Sequence, residues 1–322
     1  MVKSKSALVT KSLNGERFDL AAVALFPDIS RKKIKLIIDS GGAYLNKKRI
    51  QMAKCPVKEK DKLEIFWEEV SAEISENAVK NKKASFQSLL SENDILFEND
   101  QFYVVNKPAG IPSQATLTSS QDSLFPMLVQ LNPQKFKLNQ LFLVHRLDKE
   151  TSGVMLVARN TATQKKFEDM FREKKMQKVY DALCYFVPQK SKGQINFPLS
   201  KDKGKQNAYF AVTNPQSKIK EAKASLTEYE LVEKFKNEAS FIRCFPRTGR
   251  THQIRVHLSA IGCPILGDKT YAQNIYGHRF AQIALRHMLH AAKIQFELDG
   301  KKYEFEAPWP QDFCEVKKVL EQ

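Results

Sequence analysis

The sequence lacks the motifs that mark several large enzyme classes. It contains no G-x-x-x-x-G-K-[ST] phosphate-binding loop, no G-x-G-x-x-G after a strand, no G-x-S-x-G nucleophile elbow and no H-E-x-x-H zinc motif. These absences remove the usual sequence support for ATP-dependent, dinucleotide-dependent, serine-hydrolase and zinc-protease chemistry. Cysteine is also scarce: the five cysteines are scattered, with no C-x-x-C pair and no histidine at metal-ligand spacing, so we expect no bound metal.

Long hydrophobic runs are missing as well. The longest apolar stretches, such as residues 141–144 and 154–158, fall far short of the roughly 20 residues that a membrane-spanning helix needs. The N-terminal stretch MVKSKSALVTKSLNGERFDL is basic but contains no apolar core of the roughly 7 to 15 residues that a secretory signal requires. The sequence therefore predicts a cytoplasmic protein with no membrane partner.

Acidic residues are too few to balance the basic ones. The chain of 322 residues has 52 lysines and arginines against 36 aspartates and glutamates, which gives a formal net charge of +16. Its hydrophobic fraction of 42% is ordinary for a globular protein, and its length allows two domains. Such an excess of positive charge favours a polyanionic partner, and with a membrane set aside we expect a nucleic acid. We expect the protein itself to be a monomer.

Residues 1–70 are predicted to form a small α/β domain. After Ser30, a helix-capping residue, Ile34, Ile37 and Ile38 follow at helical spacing, and Gly41-Gly42 supplies a stop. Short strands are expected in the stretches AYLNKKRI and KLEIFWEE. Solvation alone is one interpretation of the opposite, basic face of the helix, but the net charge favours RNA contact. The candidate RNA contacts on this face are Arg31, Lys32 and Lys35.

The first 70 residues resemble the small RNA-binding domain (alpha-L) that a small-subunit ribosomal protein shares with RNA-modifying enzymes. The stretches RFDLAAVALFPDISRKKIKLIIDSGGAYLN and VKEKDKLEIFW carry this resemblance. Residues 71–92 are polar, without glycine or proline, and are predicted to be a linker. Residues 93–322 then form the second domain.

The second domain is predicted to have a mixed α+β fold. Strand-like runs occur in DILFENDQFYVVNKPAG, KVYDALCYF, KASLTEYELVEKF and EASFIRCF. The stretch TATQKKFEDMFREKK is typical of a helix that is capped by Thr161 and carries its apolar residues on one face. Residues 251–258 alternate like a strand, but Thr251 as a cap and Gly262 as a stop favour a helix over residues 251–261.

The stretch VHRLDKETSGVMLVARN, residues 144–160, places a dense group of charges before a tight corner and a strand. A carboxylate that acts as a nucleophile must stay ionised in a partly dry pocket, where desolvation alone raises its pKa. An arginine that binds the carboxylate in a fork lowers the pKa again and holds its geometry. We expect Asp148 and Arg255 to form that pair, and Tyr180 to offer a ring on which a base can stack.

The predicted helix at residues 251–261 brings further candidates. It should turn His252 and Arg255 away from its apolar stripe, and Arg247 and Arg250 lie in the loop before it. Arginines so close together repel one another unless a polyanion or a buried carboxylate relieves the repulsion. We therefore expect Arg247, Arg250 and His252 to contact RNA.

Alternatives apply to some of these residues. Asp148 taken alone could be a turn carboxylate that caps the backbone of Thr151 or Ser152. His287 and His290 lie three residues apart in a segment that could be helical. With no third ligand nearby, we interpret them as packed or RNA-facing histidines rather than metal ligands.

Six motifs in the second domain resemble, in their order, those of the RluA-type pseudouridine synthases. They are KPAGIPSQ at 107–114, HRLDKETSG at 145–153, KVY at 178–180, RTGRTHQIRVHL at 247–258, GCPILGD at 262–268 and LHA at 289–291. The resemblance covers nearly all of residues 90–310. It implies an α+β catalytic domain of the pseudouridine synthase type, with a mixed, mainly antiparallel sheet, that isomerises uridine in RNA to pseudouridine without a cofactor.

The resemblance also implies roles for individual residues. Asp148 matches the catalytic aspartate, which attacks the ribose or the uracil ring or assists glycal formation. Tyr180 matches the tyrosine that packs against the base, and Arg255 matches the basic residue that pairs with the aspartate. Arg146 matches the arginine that fills the gap left by a nucleotide flipped out of its stack.

The leading RNA-binding domain favours large-subunit (23S-type) ribosomal RNA as the substrate, with transfer RNA as the alternative. A non-catalytic RNA-binding or ribosome-associated protein is a second functional hypothesis. An RNA glycosidase, which would release free uracil, is a third.

Overall fold

The computed structural model describes residues 2–39, 43–46, 48–50, 53–68, 90–114, 122–205, 207–214, 219, 221–272, 275, 278–281 and 283–322. The chain divides into two compact units, Met1–Lys83 and Ala84–Gln322, and each has its own hydrophobic core. Most of the predicted linker, residues 71–89, lies outside the described residues, so the linker stays a prediction.

The N-terminal unit contains a four-stranded antiparallel sheet and two helices. The strands are β1 (Val2–Leu8), β2 (Ala43–Leu45), β3 (Lys48–Arg49) and β4 (Lys62–Glu68), in the order β1-β4-β2-β3, and the helices are α1 (Phe18–Leu25) and α2 (Arg31–Asp39). Ile34, Ile37 and Ile38 of α2 are buried in the core of this unit, as their helical spacing predicts. The predicted glycine stop at residues 41–42 lies outside the described residues.

The C-terminal unit is built on a ten-stranded sheet. Its strands are β5 (Ile95–Glu98), β6 (Phe102–Lys107), β7 (Phe142–Leu143), β8 (Ser152–Ala158), β9 (Gln177–Tyr185), β10 (Lys192–Ile195), β13 (Thr227–Phe235), β14 (Ala239–Pro246), β15 (Leu289–Leu298) and β16 (Lys301–Glu306), while β11 (Leu199–Lys201) and β12 (Tyr209–Ala211) form a separate pair. The main path runs β10-β13-β14-β9-β15-β8-β6-β5, with β16 beside β15 and β7 beside β8. Described neighbours are antiparallel except β8 and β15, which are parallel. The predicted mixed, mainly antiparallel sheet is confirmed.

Four α-helices accompany this sheet in the described part of the unit: α3 (Leu124–Leu131), α4 (Thr161–Arg172), α5 (Gln253–Ala260) and α6 (Gln311–Leu320). The predicted helix at 161 is confirmed, but its cap is not Thr161. Asn160 caps α4, because its side chain accepts a hydrogen bond from the Thr163 N–H. The helix predicted at 251–261 is also confirmed, although it starts after His252 rather than after Thr251.

Strand β8 follows the corner in HRLDKETSG and is buried along its whole length. It lies between β6 and β15 in the sheet, so the loop that precedes β8 is joined to a strand in the interior of the unit. Hydrophobic residues of β6, β8 and β15 contribute to the cores on both sides of the strand. This burial gives the loop before β8 a rigid support.

Gly153 is required where β8 leaves the corner. Its φ is +114°, and a Cβ at this position would lie 2.2 Å from the carbonyl oxygen of Ala291 on β15. We expect Gly153→Ala to lower the free energy of unfolding by more than about 2 kcal/mol, measured by denaturant unfolding. Gly249→Ala is the control, because a Cβ there meets nothing within 4 Å. Equal losses for the two variants would contradict this explanation of the corner.

Candidate active site

Asp148 lies in the loop between β7 and β8, and this loop is held by a buried lysine. Lys107 is fully buried at the end of β6, and its Nζ donates hydrogen bonds to the carbonyl oxygens of Pro108, Ile111 and Lys149. Burial lowers the pKa of Lys107 to about 7. The sequence-based candidates do not include this residue, which ties the KPAG loop to the loop that carries Asp148.

Two buried histidines hold the corner after Asp148. His287 Nε2 lies 2.8 Å from Thr151 Oγ1, and His290 Nδ1 lies 2.9 Å from Ser152 Oγ. Burial lowers the pKa of both imidazoles, that of His287 to about 3, so both rings are neutral at neutral pH. They are packed histidines, one of the two predicted alternatives. The helical interpretation of this segment is wrong, since His290 lies in β15, where its backbone pairs with the neighbouring strands.

The backbone, and not the carboxylate, of Asp148 closes the turn. Its main-chain carbonyl accepts a hydrogen bond from the Thr151 N–H at 3.0 Å. The carboxylate Oδ2 instead accepts from Arg255 Nη1 at 3.0 Å, and the side chain remains 21% exposed. The turn-capping alternative for Asp148 therefore does not match the structure. The carboxylate is not used by the turn and is free to contact a ligand.

Arg255 binds two carboxylates at once. In addition to the bond to Asp148, its Nε and Nη2 donate to Oδ2 and Oδ1 of Asp268 at 2.7 and 2.9 Å. The Arg255 side chain is 7% exposed and that of Asp268 is 0% exposed. Burial opposes the charge on Arg255, but Asp268 and Asp148 outweigh it and raise the pKa of the guanidinium. Arg255 in turn outweighs the burial of Asp268 and holds the pKa of that carboxyl below its usual value. The guanidinium is thus fixed by Asp268 and presents its remaining edge to Asp148.

Asp268 is absent from the sequence-based candidates, although it ends the GCPILGD motif. Its Oδ1 also accepts hydrogen bonds from the backbone N–H groups of Thr270 and Tyr271. Gly267 precedes it with a φ of +75°, and a Cβ there would lie 2.0 Å from the carbonyl oxygen of Arg286. A Gly-Asp pair of this kind predicts a tight turn. It does not predict that Asp268 binds Arg255, because that contact forms only in the folded chain.

Tyr180 lies on β9 and lines the same cavity as Asp148. Its ring is half-buried and packs against the hydrophobic core. Burial, reinforced by the charge of Asp148, raises the pKa of the phenol, so the hydroxyl stays protonated at neutral pH. A partly exposed aromatic ring beside a carboxylate is suited to contact with a planar base.

A cavity of about 400 Å³ opens in front of Asp148. This volume lies in the range of sites that take small ligands or single nucleotides. Among its described lining residues one is acidic, Asp148, and six are basic: Arg146, Arg172, Lys178, Arg247, Arg250 and Arg255. The charge balance favours a ligand that carries phosphate groups.

The predicted RNA contacts at this cavity differ in how they are held. Arg247 binds Glu228 Oε2 through Nε at 2.9 Å and Nη2 at 2.6 Å, and Arg250 Nε donates to the Ala224 carbonyl oxygen at 3.2 Å. Arg146 is exposed and forms no ion pair with any residue that the structure describes. The structure thus brings all three to one cavity, and the guanidinium of Arg146 is left available for a ligand.

Lys178 was not a sequence-based candidate, although it belongs to the KVY motif. It lies two residues before Tyr180 on β9, so the alternation of the strand puts both side chains on one face. Lys178 is half-buried, and burial lowers its pKa to about 8. Its Nζ lies 5.7 Å from the centre of the Phe171 ring, and no described carboxylate pairs with it. It adds another cation to the cavity.

The remaining histidines show no metal site. His252 lines the cavity, with Nε2 3.8 Å from Asp148 Oδ2, while the buried His257 is hydrogen-bonded to Thr227 and Ser225. No group of three or more His, Cys, Asp or Glu within the described ranges could hold a metal ion. The described part of the chain also has no helix long and apolar enough to cross a membrane.

The basic face of α2 in the N-terminal unit has a partly structural role. Arg31 Nη2 lies 3.0 Å from Oδ2 of the buried Asp19, which also binds Arg17. Burial opposes the charge on Asp19, but the two arginines outweigh it and lower the pKa of the carboxyl. Lys35 is exposed, and the side chain of Lys32 lies outside what the structure describes. Arg31 therefore stabilises this unit, whereas Lys35 is free to face solvent or RNA.

Comparison with known proteins agrees with the fold. The family model for RNA pseudouridylate synthase matches residues 101–260. Ribosomal large subunit pseudouridine synthase C of Vibrio parahaemolyticus is 31% identical over 97% of this chain and 94% of its own length. Ribosomal large subunit pseudouridine synthase D of Pasteurella multocida is 28% identical over 98% of this chain and 94% of its own. The solved structure of human RNA pseudouridylate synthase domain containing 1 is 28% identical, with a TM-score of 0.56, and covers 67% of this chain and 83% of the human chain.

These matches extend over the strands and loops that form the cavity. They define the class of protein as an isomerase that acts on RNA. The chain belongs to the RNA pseudouridylate synthase family, and its relatives place it with the RluA-type members.

Proposed function

We propose that this chain converts uridines of large-subunit ribosomal RNA to pseudouridine, with Asp148 as the catalytic carboxylate. The names of its relatives specify the large ribosomal subunit and support this substrate. One observation carries the mechanism: Asp148 lies in a basic cavity, with Oδ2 held by Arg255 at 3.0 Å and with no hydrogen bond to Oδ1 from a described residue. A carboxylate arranged in this way is held in place and still has one oxygen to react.

The proposed reaction is an isomerisation. The bond between ribose C1′ and uracil N1 breaks, the base turns, and a bond forms between C1′ and C5. The proton on C5 leaves and N1 gains one, so product and substrate have the same atoms and no oxidant or reductant is needed. Asp148 attacks C1′ or the uracil ring, or assists glycal formation, and in each case Arg255 holds its carboxylate in place.

Tyr180 and Arg146 would handle the base and the gap that it leaves. A uridine within structured RNA must leave its stack to reach Asp148, and unstacking costs a few kcal/mol. The ring of Tyr180, beside Asp148, would pack against the extruded base. The exposed guanidinium of Arg146, two residues before Asp148, would occupy the vacated space in the RNA.

Arg146→Ala is expected to affect paired uridines more than unpaired ones. We expect turnover on a uridine within a duplex to fall at least about tenfold further than turnover on the same uridine in a single-stranded oligonucleotide, because only the duplex requires extrusion. Arg172→Ala is a suitable control, since Arg172 also lines the cavity but is paired with Asp169. A loss that is equal on both RNAs would count against the proposed role of Arg146.

The N-terminal unit would add affinity through phosphate contacts. We expect Lys35→Gln to reduce the slope of log Kd against log salt by roughly 0.7 to 0.9, the value for one phosphate contact, in a binding titration with ribosomal RNA fragments. Lys318→Gln on α6 also removes an exposed charge and should leave the slope unchanged. An unaltered slope for Lys35→Gln would mean that the basic face of α2 is solvated rather than bound to RNA.

The substrate is tested by mapping pseudouridine in total RNA from cells with and without this gene. We expect one or more pseudouridines in large-subunit ribosomal RNA to disappear when the gene is deleted and to return when it is restored. Loss confined to transfer RNA would replace the proposed substrate. An unchanged map would favour a non-catalytic RNA-binding role.

A further inference from the structure

We propose that His252 is a positioning residue for Asp148. Its ring is held in the tautomer that carries the proton on Nε2, and that proton is directed at Asp148 Oδ2. Arg255 and His252 then both engage Oδ2, which leaves Oδ1 as the oxygen that reacts. This inference rests on the proposed catalytic role of Asp148, and the expectation that His252 contacts RNA stays a prediction beside it.

The backbone of His252 is in an unusual conformation. Its φ of 57° and ψ of 17° lie in the left-handed region, where residues with a side chain carry a cost of about 1–2 kcal/mol. His252 precedes the first turn of α5, but its side chain makes no capping hydrogen bond to that helix. Helix capping therefore does not explain why a histidine occupies this position.

The hydrogen bonds of Tyr271 select the tautomer of His252. The Tyr271 hydroxyl oxygen accepts from the Tyr209 N–H at 2.9 Å and lies 2.8 Å from His252 Nδ1. Within the described structure the hydroxyl proton has Nδ1 as its acceptor, so the proton of the neutral ring resides on Nε2. The opposite tautomer would leave the Tyr271 hydroxyl proton without an acceptor among the described residues and would direct a lone pair at the Asp148 carboxylate. The His252 ring packs edge-on against Tyr209 and Tyr271, and this packing fixes the orientation of the imidazole.

The Nε2 side of the ring faces the catalytic carboxylate. His252 Nε2 lies 3.8 Å from Asp148 Oδ2, the same oxygen that Arg255 Nη1 binds at 3.0 Å. Burial lowers the pKa of His252 despite the charge of Asp148, so the ring acts as a neutral donor. A separation of 3.8 Å is longer than a hydrogen bond, and contacts between catalytic groups are often long before substrate binds and tighten in the complex. The two donors approach one oxygen and leave the other open.

Two substitutions distinguish this role from a purely structural one. His252→Gln places an amide N–H near the position of Nε2, where it can donate to Asp148. His252→Asn tolerates the left-handed backbone and can keep the contact with Tyr271, but it does not reach Asp148. We expect Gln to retain at least about a third of the wild-type kcat, and Asn to lose about tenfold or more with KM within about twofold, as for loss of a hydrogen bond to a charged group.

Kinetic measurements on pseudouridine formation are paired with thermal unfolding of each variant and with ¹⁵N NMR of the wild-type imidazole. The NMR measurement needs no activity and should report the proton on Nε2. The inference is overturned if Asn retains activity while Gln loses it, if both variants match wild type, or if the proton resides on Nδ1. Wild-type protein that forms no pseudouridine would instead refute the proposed function, and the tautomer would still be tested.

Discussion

Asp148→Asn is expected to abolish pseudouridine formation and to leave RNA binding nearly unchanged. The amide has the shape of the carboxylate and can still accept from Arg255, so the loop and the cavity should persist. It lacks the negative charge that each proposed mechanism requires, and we expect kcat to fall more than about a thousandfold. Affinity depends mainly on phosphate contacts, which Asp148 does not make, so Kd should stay within about threefold of wild type. Single-turnover kinetics and a filter-binding titration on the same RNA measure the two effects.

A matched control for this change is Asp169→Asn. Asp169 is a carboxylate on α4 that does not itself line the cavity and that pairs with Lys165 and Arg172. Its replacement changes the net charge by the same amount and should preserve turnover. If Asp148→Asn kept turnover within about tenfold of wild type, Asp148 would not be the catalytic carboxylate that each proposed mechanism requires.

Arg255→Lys has the second largest expected effect, although it conserves the charge. Nε and Nη2 bind Asp268 while Nη1 binds Asp148, and a single ammonium group cannot reproduce these three bonds. We expect kcat to fall more than about a hundredfold, because Asp148 loses the group that orients it. Stability should fall by about 1–3 kcal/mol, because Asp268 is fully buried and would keep an incomplete partner. Steady-state kinetics and denaturant unfolding record the two losses.

Arg247→Lys serves as the comparison for that change. Arg247 also binds a carboxylate, that of Glu228, but its side chain is 46% exposed, and exposed pairs contribute little to stability. Its variant should unfold like the wild type. Near-normal turnover of Arg255→Lys would show that the fork between Arg255 and Asp148 is not needed for the reaction.

The elements that the sequence predicted well are those with a local signal. The spacing of Ile34, Ile37 and Ile38 gave the core face of α2, and the strand runs around Asn99 and after Lys178 are strands in the structure. The cap of α4 was misplaced by one residue, because Asn160 and Thr161 are both good caps and only geometry separates them.

The contacts within the site were harder to predict from local sequence patterns. Asp148 and Arg255 are 107 residues apart, and they were paired because an ionised carboxylate in a pocket needs a cation. Asp268 carries no such signal, since its need for Arg255 arises only when both are buried together. The left-handed backbone of His252 and the hydrogen bond between His287 and Thr151 likewise result from long-range packing. Long-range contacts of this kind leave no periodicity in the sequence.

Analysis of the RNA product distinguishes isomerisation of uridine from binding or cleavage of the RNA. Large-subunit ribosomal RNA from cells that lack this gene is incubated with the purified protein, digested to nucleosides and separated by chromatography, and free uracil is assayed in the same reaction. We expect that the uridine lost equals the pseudouridine gained, that no uracil is released, and that Asp148→Asn gives neither change. Release of free uracil, or an unchanged nucleoside content with RNA fully bound, would contradict this expectation.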